Sequence, residues 1–119
     1  MSDFSALTAA ILEFRDARDW RQFHSLRNLI VSLNLEAGEL LELTQWKNDA
    51  EIDALPADEK LAEALRDECA DILLYLLLIA EKSRFDLVQA AERKLEKNAL
   101  KYPVDKCRGS SAKYTELPD

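Results

Sequence analysis

An all-α, four-helix-bundle-like fold is predicted for this chain by three features of its sequence. Apolar residues recur at helical spacing, i, i+3, i+4 and i+7, in separate stretches along its length. Only two glycines and three prolines interrupt its 119 residues, which is a helical rather than an all-β composition. The balance of 48% apolar and 33% charged residues suits helices with one face buried and the other in water. A chain of this length holds one core, so residues 1–119 are expected to form a single domain.

The elements follow in order. Ser5 to Arg18 reads as a first helix with Leu7, Ala10, Ile11 and Phe14 on one face. Trp20, Phe23 and His24 lie in a short connection, and Ser25 is placed to cap a long second helix that is expected to run to about Lys47. Asn48 to Pro56, with Asp49 and Asp53, favours a loop or a short turn. A third helix should begin near Ala57 or Asp58 and run to about Lys82. Within it Ile72 to Ala80 is apolar on every side. One small bundle seldom encloses such a helix, so its outer side, with Leu74 and Leu77, is expected to be a subunit interface in a homo-oligomer. Asp86 caps a fourth helix from Leu87 to Lys101, closed by Tyr102-Pro103, with Lys94, Asn98 and Lys101 stacked along one border. Residues 104–119, carrying Gly109-Ser110-Ser111 and Pro118, read as an extended C-terminal arm.

A net charge of −7 argues against a nucleic-acid binder. Met1-Ser2-Asp3-Phe4 lacks a basic leader, and Ile72 to Ala80 is too short to span a bilayer, so a cytoplasmic protein with no membrane partner is expected. Cys69 and Cys107 have no metal-type spacing and read as free thiols.

Chemistry enters through acids on apolar faces. With successive residues turned by about 100°, Glu36 falls within about 60° of Leu29, Leu33, Leu40 and Leu43. Glu39 sits at the edge of that arc. Glu68 shares its face with Leu61, Leu65, Ile72, Tyr75 and Ile79, and Asp71 repeats the offset of Glu39 from Glu36. Antiparallel packing of the two helices would gather all four carboxylates, and charges buried together need cations between them. An all-oxygen set suits Mg²⁺ or Mn²⁺. A di-iron bundle would want histidine beside each pair, and His24 is the only histidine. Carboxylate-held Mg²⁺ keeps positions for water and phosphate oxygens, and Lys94, Asn98 and Lys101 can complete a phosphate site. Trp20 and Trp46 near helix ends can sandwich a nucleobase. The reading is metal-dependent phosphoanhydride hydrolysis. The competing one is a non-catalytic oligomerisation or nucleotide-binding module in which the acids pair with Lys94, Lys101 or a partner chain.

The pattern Glu36-Ala37-Gly38-Glu39, 28 intervening residues, then Glu68-Cys69-Ala70-Asp71 resembles the signature of the MazG-like nucleoside triphosphate pyrophosphohydrolases. Arg18-Asp19-Trp20, Gln22-Phe23-His24, Gln45-Trp46-Lys47, Tyr102-Pro103 and Lys113-Tyr114-Thr115-Glu116-Leu117-Pro118 are similar to the dCTP pyrophosphatase branch of that family. The resemblance implies Mg²⁺-dependent cleavage of a deoxynucleoside triphosphate, dCTP or a base-modified dCTP, between the α and β phosphates, as nucleotide-pool house-cleaning. Within the same fold, a dUTPase or a broad triphosphate pyrophosphatase is the alternative. It also implies that Glu36, Glu39, Glu68 and Asp71 hold the metal, and that Glu36 or Glu39, with Glu36 preferred, positions or deprotonates the attacking water. Asn98 and Tyr102 would contact sugar or phosphate with Lys94 and Lys101 as helpers, and Trp20, Trp46 and Tyr75 would line the base pocket, with His24 also at the substrate. Dimers whose paired helices build each site, joined into tetramers, are implied as well. This chain departs from the animal enzymes at Ile11, where they carry a histidine.

Overall fold

Side-chain caps start each long helix. The computed structural model describes residues 3–118. In it α1 (Phe4–Ala17) begins where the Asp3 carboxylate accepts the Ala6 N–H at 2.8 Å. The second helix, α2 (Leu26–Glu42), begins where Ser25 Oγ accepts the Asn28 N–H at 3.1 Å. Asp58 does the same for α4 (Glu59–Ser83), and Asp86 for α5 (Leu87–Lys101). Each cap satisfies one of the amide donors that a helix start leaves orphaned.

Two expected boundaries change. The second helix stops at Glu42 rather than near Lys47. Amides of Leu43, Thr44 and Gln45 bond to carbonyls three residues back, the Thr44 hydroxyl donates to the Leu41 carbonyl at 2.7 Å, and Trp46 turns left-handed at φ 65°. Tightening to i→i+3 bonds ends the α-helix without a glycine or proline to announce it. Between Asn48 and Pro56 the chain forms a short helix, α3 (Asp49–Asp53), nucleated by a capping box in which Asn48 and Glu51 each receive the other's amide. A 3₁₀ turn, Leu55–Ala57, then buries Leu55.

Contacts divide the chain after Arg84 into two compact units. In the first, α4 packs against α1, α2 and the Leu55–Ala57 turn. Leu29 of α2 and Leu78 of α4 meet at one end and Leu40 and Leu65 at the other, so α2 and α4 are antiparallel. Being covered by three neighbours, α4 buries more of its apolar circumference than one bundle face would. Leu77 is only 3% exposed within a single chain, which removes it from the expected subunit interface, and Leu74 is half-buried against α1. Apolar surface is left open instead on the outer side of α2, where Ile30, Val31, Leu35 and Leu41 are exposed.

The second unit holds α5, one turn of helix α6 (Val104–Cys107) and a 3₁₀ turn, Tyr114–Glu116, in an otherwise irregular arm. Tyr114 stands edge-on to Tyr102 at 6.2 Å, and Lys101 Nζ lies 4.9 Å from the Tyr114 ring centre. These contacts tether the arm to the last turn of α5. No helix among the described residues is long and apolar enough to cross a membrane.

Candidate active site

Antiparallel packing brings Glu36 of α2 opposite Glu68 of α4, and Glu39 completes the group. One carboxylate oxygen from each of Glu36, Glu39 and Glu68 lies within 4.8 Å of the others. Glu36 and Glu68 are half-buried and Glu39 exposed. The Oε2 atoms of Glu36 and Glu68 are buried with no hydrogen-bond partner. Burial, then the adjoining Glu68 and Glu39 carboxyls, then the charges of Glu39 and Asp71 push the Glu36 carboxyl up to about 7. Glu68 is also raised, by burial first and then by Glu39 and Asp71, with the Glu36 contact working the other way. Carboxylates this close cannot all ionise at low cost. Unsatisfied buried oxygens on an all-carboxylate cluster fit a hard divalent cation, whose charge would meet those lone pairs.

Asp71 lies outside the 4.8 Å group, although its charge acts on both Glu36 and Glu68. Its side chain lines a cavity of about 420 Å³ between α1 and α4. The carboxylate cluster therefore adjoins this cavity through Asp71. Flat walls come from Trp20, Tyr75 and Phe14, and apolar ones from Ile11, Leu74 and Leu78. Trp20 meets Phe14 edge-on at 5.7 Å, and the Arg18 guanidinium stacks on Phe14 at 3.6 Å, which braces the aromatic wall. His24 also lines the cavity, its Nδ1 buried without a partner, and burial followed by the charges of Arg15 and Lys82 lowers its pKa. The site thus pairs an anionic cluster with an aromatic recess of ligand size.

Trp46 stands apart from both features. It is 93% exposed in the turn after α2 and is not part of the wall of the aromatic cavity. Lys94, Asn98, Lys101 and Tyr102 belong to the second unit, where the Tyr102 amide donates to the Asn98 carbonyl at 2.8 Å and Asn98 is half-buried. Sequence reasoning missed Arg15. It is only 7% exposed, donates through Nε to Asp16 at 2.8 Å and through Nη1 to Glu81 at 3.5 Å, and reaches the cavity wall. Its signal was the i, i+4 stack Leu7-Ile11-Arg15, which puts the guanidinium at the border of the apolar face.

A family model described as the MazG-like family matches residues 31–117, a span that contains all four acids. The chain belongs to the MazG-like family. Among MazG-like relatives, dCTP pyrophosphatase 1 of Mus musculus is 46% identical over 106 residues, covering 89% of this chain and 62% of that protein. The Homo sapiens protein of the same name is 45% identical over the same shares. The chain therefore spans about three-fifths of the length of these curated relatives, 62%. A solved structure of a pyrophosphatase from Archaeoglobus fulgidus superposes with a TM-score of 0.78 at 37% identity, over 87% of this chain and 94% of that one. The all-α architecture is thus that of the MazG-like pyrophosphatases.

Proposed function

We propose that this chain is a nucleoside triphosphate pyrophosphohydrolase that uses Mg²⁺, with Mn²⁺ able to replace it, and acts on dCTP or a base-modified dCTP. The observation that carries the reading is the juxtaposition of Glu36, Glu39 and Glu68, with their orphaned oxygens, and an aromatic cavity that Asp71 lines. The names of the relatives, dCTP pyrophosphatase 1, support the substrate. Glu36, Glu39, Glu68 and Asp71 would hold the metal, which when bound offsets the negative charge of the triphosphate and of the transition state. Glu36, the more buried of the α2 pair, orients the attacking water and accepts its proton, with Glu39 beside it. Water oxygen adds to a phosphorus of the α–β bridge as the bridging P–O bond breaks, leaving the monophosphate and pyrophosphate.

Trp20 and Tyr75 offer the faces on which a pyrimidine stacks, and His24 offers a polar edge. Stacking ranks bases weakly, so selection for cytosine falls to polar groups in the recess. By the resemblance to the dCTP pyrophosphatase branch, Lys94, Asn98, Lys101 and Tyr102 are assigned to the phosphates and sugar, and Trp46 to the base. The exposed outer face of α2 supports a homo-oligomer, a dimer or a dimer of dimers, and the free thiols of Cys69 and Cys107 suit the cytoplasm.

A ³¹P NMR time course of dCTP with Mg²⁺, run beside dTTP, dUTP and CTP and with an EDTA control, tests the reading. Formation of dCMP and pyrophosphate that EDTA stops is expected. Release of dCDP and inorganic phosphate, or no turnover of any nucleotide, would overturn it.

A further inference from the structure

At the end of the first unit where α1 stops, α2 starts and α4 stops, Arg15, Arg21, His24, Lys82 and Arg84 line a second, polar-walled cavity of about 200 Å³. Its only acidic wall residue is Glu81, which with Asp16 faces Arg15. Arg21, Lys82 and Arg84 have no ion pair among the described residues. A concentration of unpaired cations is unusual in a chain of net charge −7. The carbonyl end of α4 accounts for Lys82 in its last turn, but not for Arg21, which arrives from the 3₁₀ turn Arg21–Phe23. Arg15, 7% exposed, forms a buried inner wall, and the exposed Arg21, Lys82 and Arg84 form the rim.

His24, Arg15 and Leu78 line this cavity and the aromatic one alike, so they form a shared partition. On its far side His24 faces Arg15, Arg21, Glu81, Lys82 and Arg84, and on its near side Asp71 and Tyr75 share its cavity. A volume of about 200 Å³ is below the roughly 300–1,000 Å³ of pockets that enclose drug-sized ligands, too small to enclose a whole nucleoside triphosphate and ample for a small oxyanion.

We infer that this cavity is an anion site for inorganic phosphate or pyrophosphate, distinct from the carboxylate cluster and read by the aromatic cavity through the Arg15–His24 partition. Arg21, Lys82 and Arg84, which line the cavity and make no ion pair among the described residues, supply the charge-assisted hydrogen bonds that a phosphate oxyanion accepts.

Because the chain has one histidine, its imidazole C–H resonance reports on this partition directly. Untagged protein in EDTA is titrated with inorganic phosphate, and separately with pyrophosphate, against sodium chloride at matched ionic strength. A saturable shift of the His24 resonance beyond the chloride control is expected, and the tighter of the two ligands identifies the occupant. Arg21→Gln/Lys82→Gln should weaken binding by roughly tenfold or more, as loss of two charge-assisted contacts requires. Asp71→Asn should leave binding intact. Arg84→Gln, an exposed change checked by circular dichroism, gives a second reading if the double variant misfolds. A shift equal to that in chloride, one that survives both cavity variants, or one abolished by Asp71→Asn would each overturn the proposal, the last by placing the anion at the carboxylate cluster.

Discussion

Glu36 holds its proton more tightly in the fold than in an unfolded chain, at about 7 against an ordinary value of 4.5. Between those values folding takes up a proton, so this carboxyl stabilises the metal-free protein at low pH and withdraws that support as pH rises through the window. The direction is opposite to that of a salt-bridged acid. Urea denaturation of EDTA-treated protein from pH 4.5 to 8 should therefore show stability falling toward neutrality, with a shallower slope in Glu36→Gln. A slope unchanged in that variant would mean that the cluster carries no such tension. The same substitution should abolish turnover while circular dichroism stays helical. Leu29 makes the complementary case of a residue with no chemistry. At 2% exposure it anchors α2 against α4, and Leu29→Ala should cost about 2–5 kcal/mol by chemical denaturation.

At the scale of elements, helix starts and helix ends differ in how they are written. Ser25, Asp58 and Asp86 announce α2, α4 and α5 because a cap is a local bond between a side chain and an amide three residues on. Ser25→Ala should accordingly destabilise the fold by about 1 kcal/mol, measured as a shift in urea midpoint. The end of α2 is not written this way. It depends on the Thr44 hydroxyl turning back to Leu41, a choice that periodicity cannot reveal because Gln45 and Trp46 are acceptable helix formers. The apolar run in α4 was legible as buried on all sides. Which element covered each side was not, since that depends on where α1 and the Leu55–Ala57 turn come to rest. The outer face of α2 now carries the expectation of self-association. Leu35, 63% exposed, is its test: Leu35→Lys should lower the oligomer mass in analytical ultracentrifugation without loss of helix content.

For the whole molecule, the meeting of Glu36, Glu39 and Glu68 was readable because carboxylates among leucines violate the helical pattern wherever they occur, whereas the place of Asp71 on the cavity wall was not. The partition of Arg15 and His24 was not, because it joins α1 to the turn before α2 and exists only once both pack on α4. A cation bound by the folded cluster and not by the unfolded chain adds stability by mass action, about 2.7 kcal/mol at a hundredfold excess over its Kd. Mg²⁺ should thus raise the melting temperature of the wild type, and EDTA should reverse the rise, while Glu68→Gln should respond weakly to either. Trp46 provides an optical consequence. The chain has two tryptophans, and the indole of Trp46, 93% exposed against 44% for Trp20, sits in water beyond the end of α2. Its fluorescence will dominate the red edge of the emission spectrum of an isolated chain. Any event that covers that ring, whether a second subunit or a stacked base, will blue-shift the emission, so Trp46→Phe beside Trp20→Phe converts a spectrum into a direct test of whether added dCTP, the proposed substrate, reaches either tryptophan.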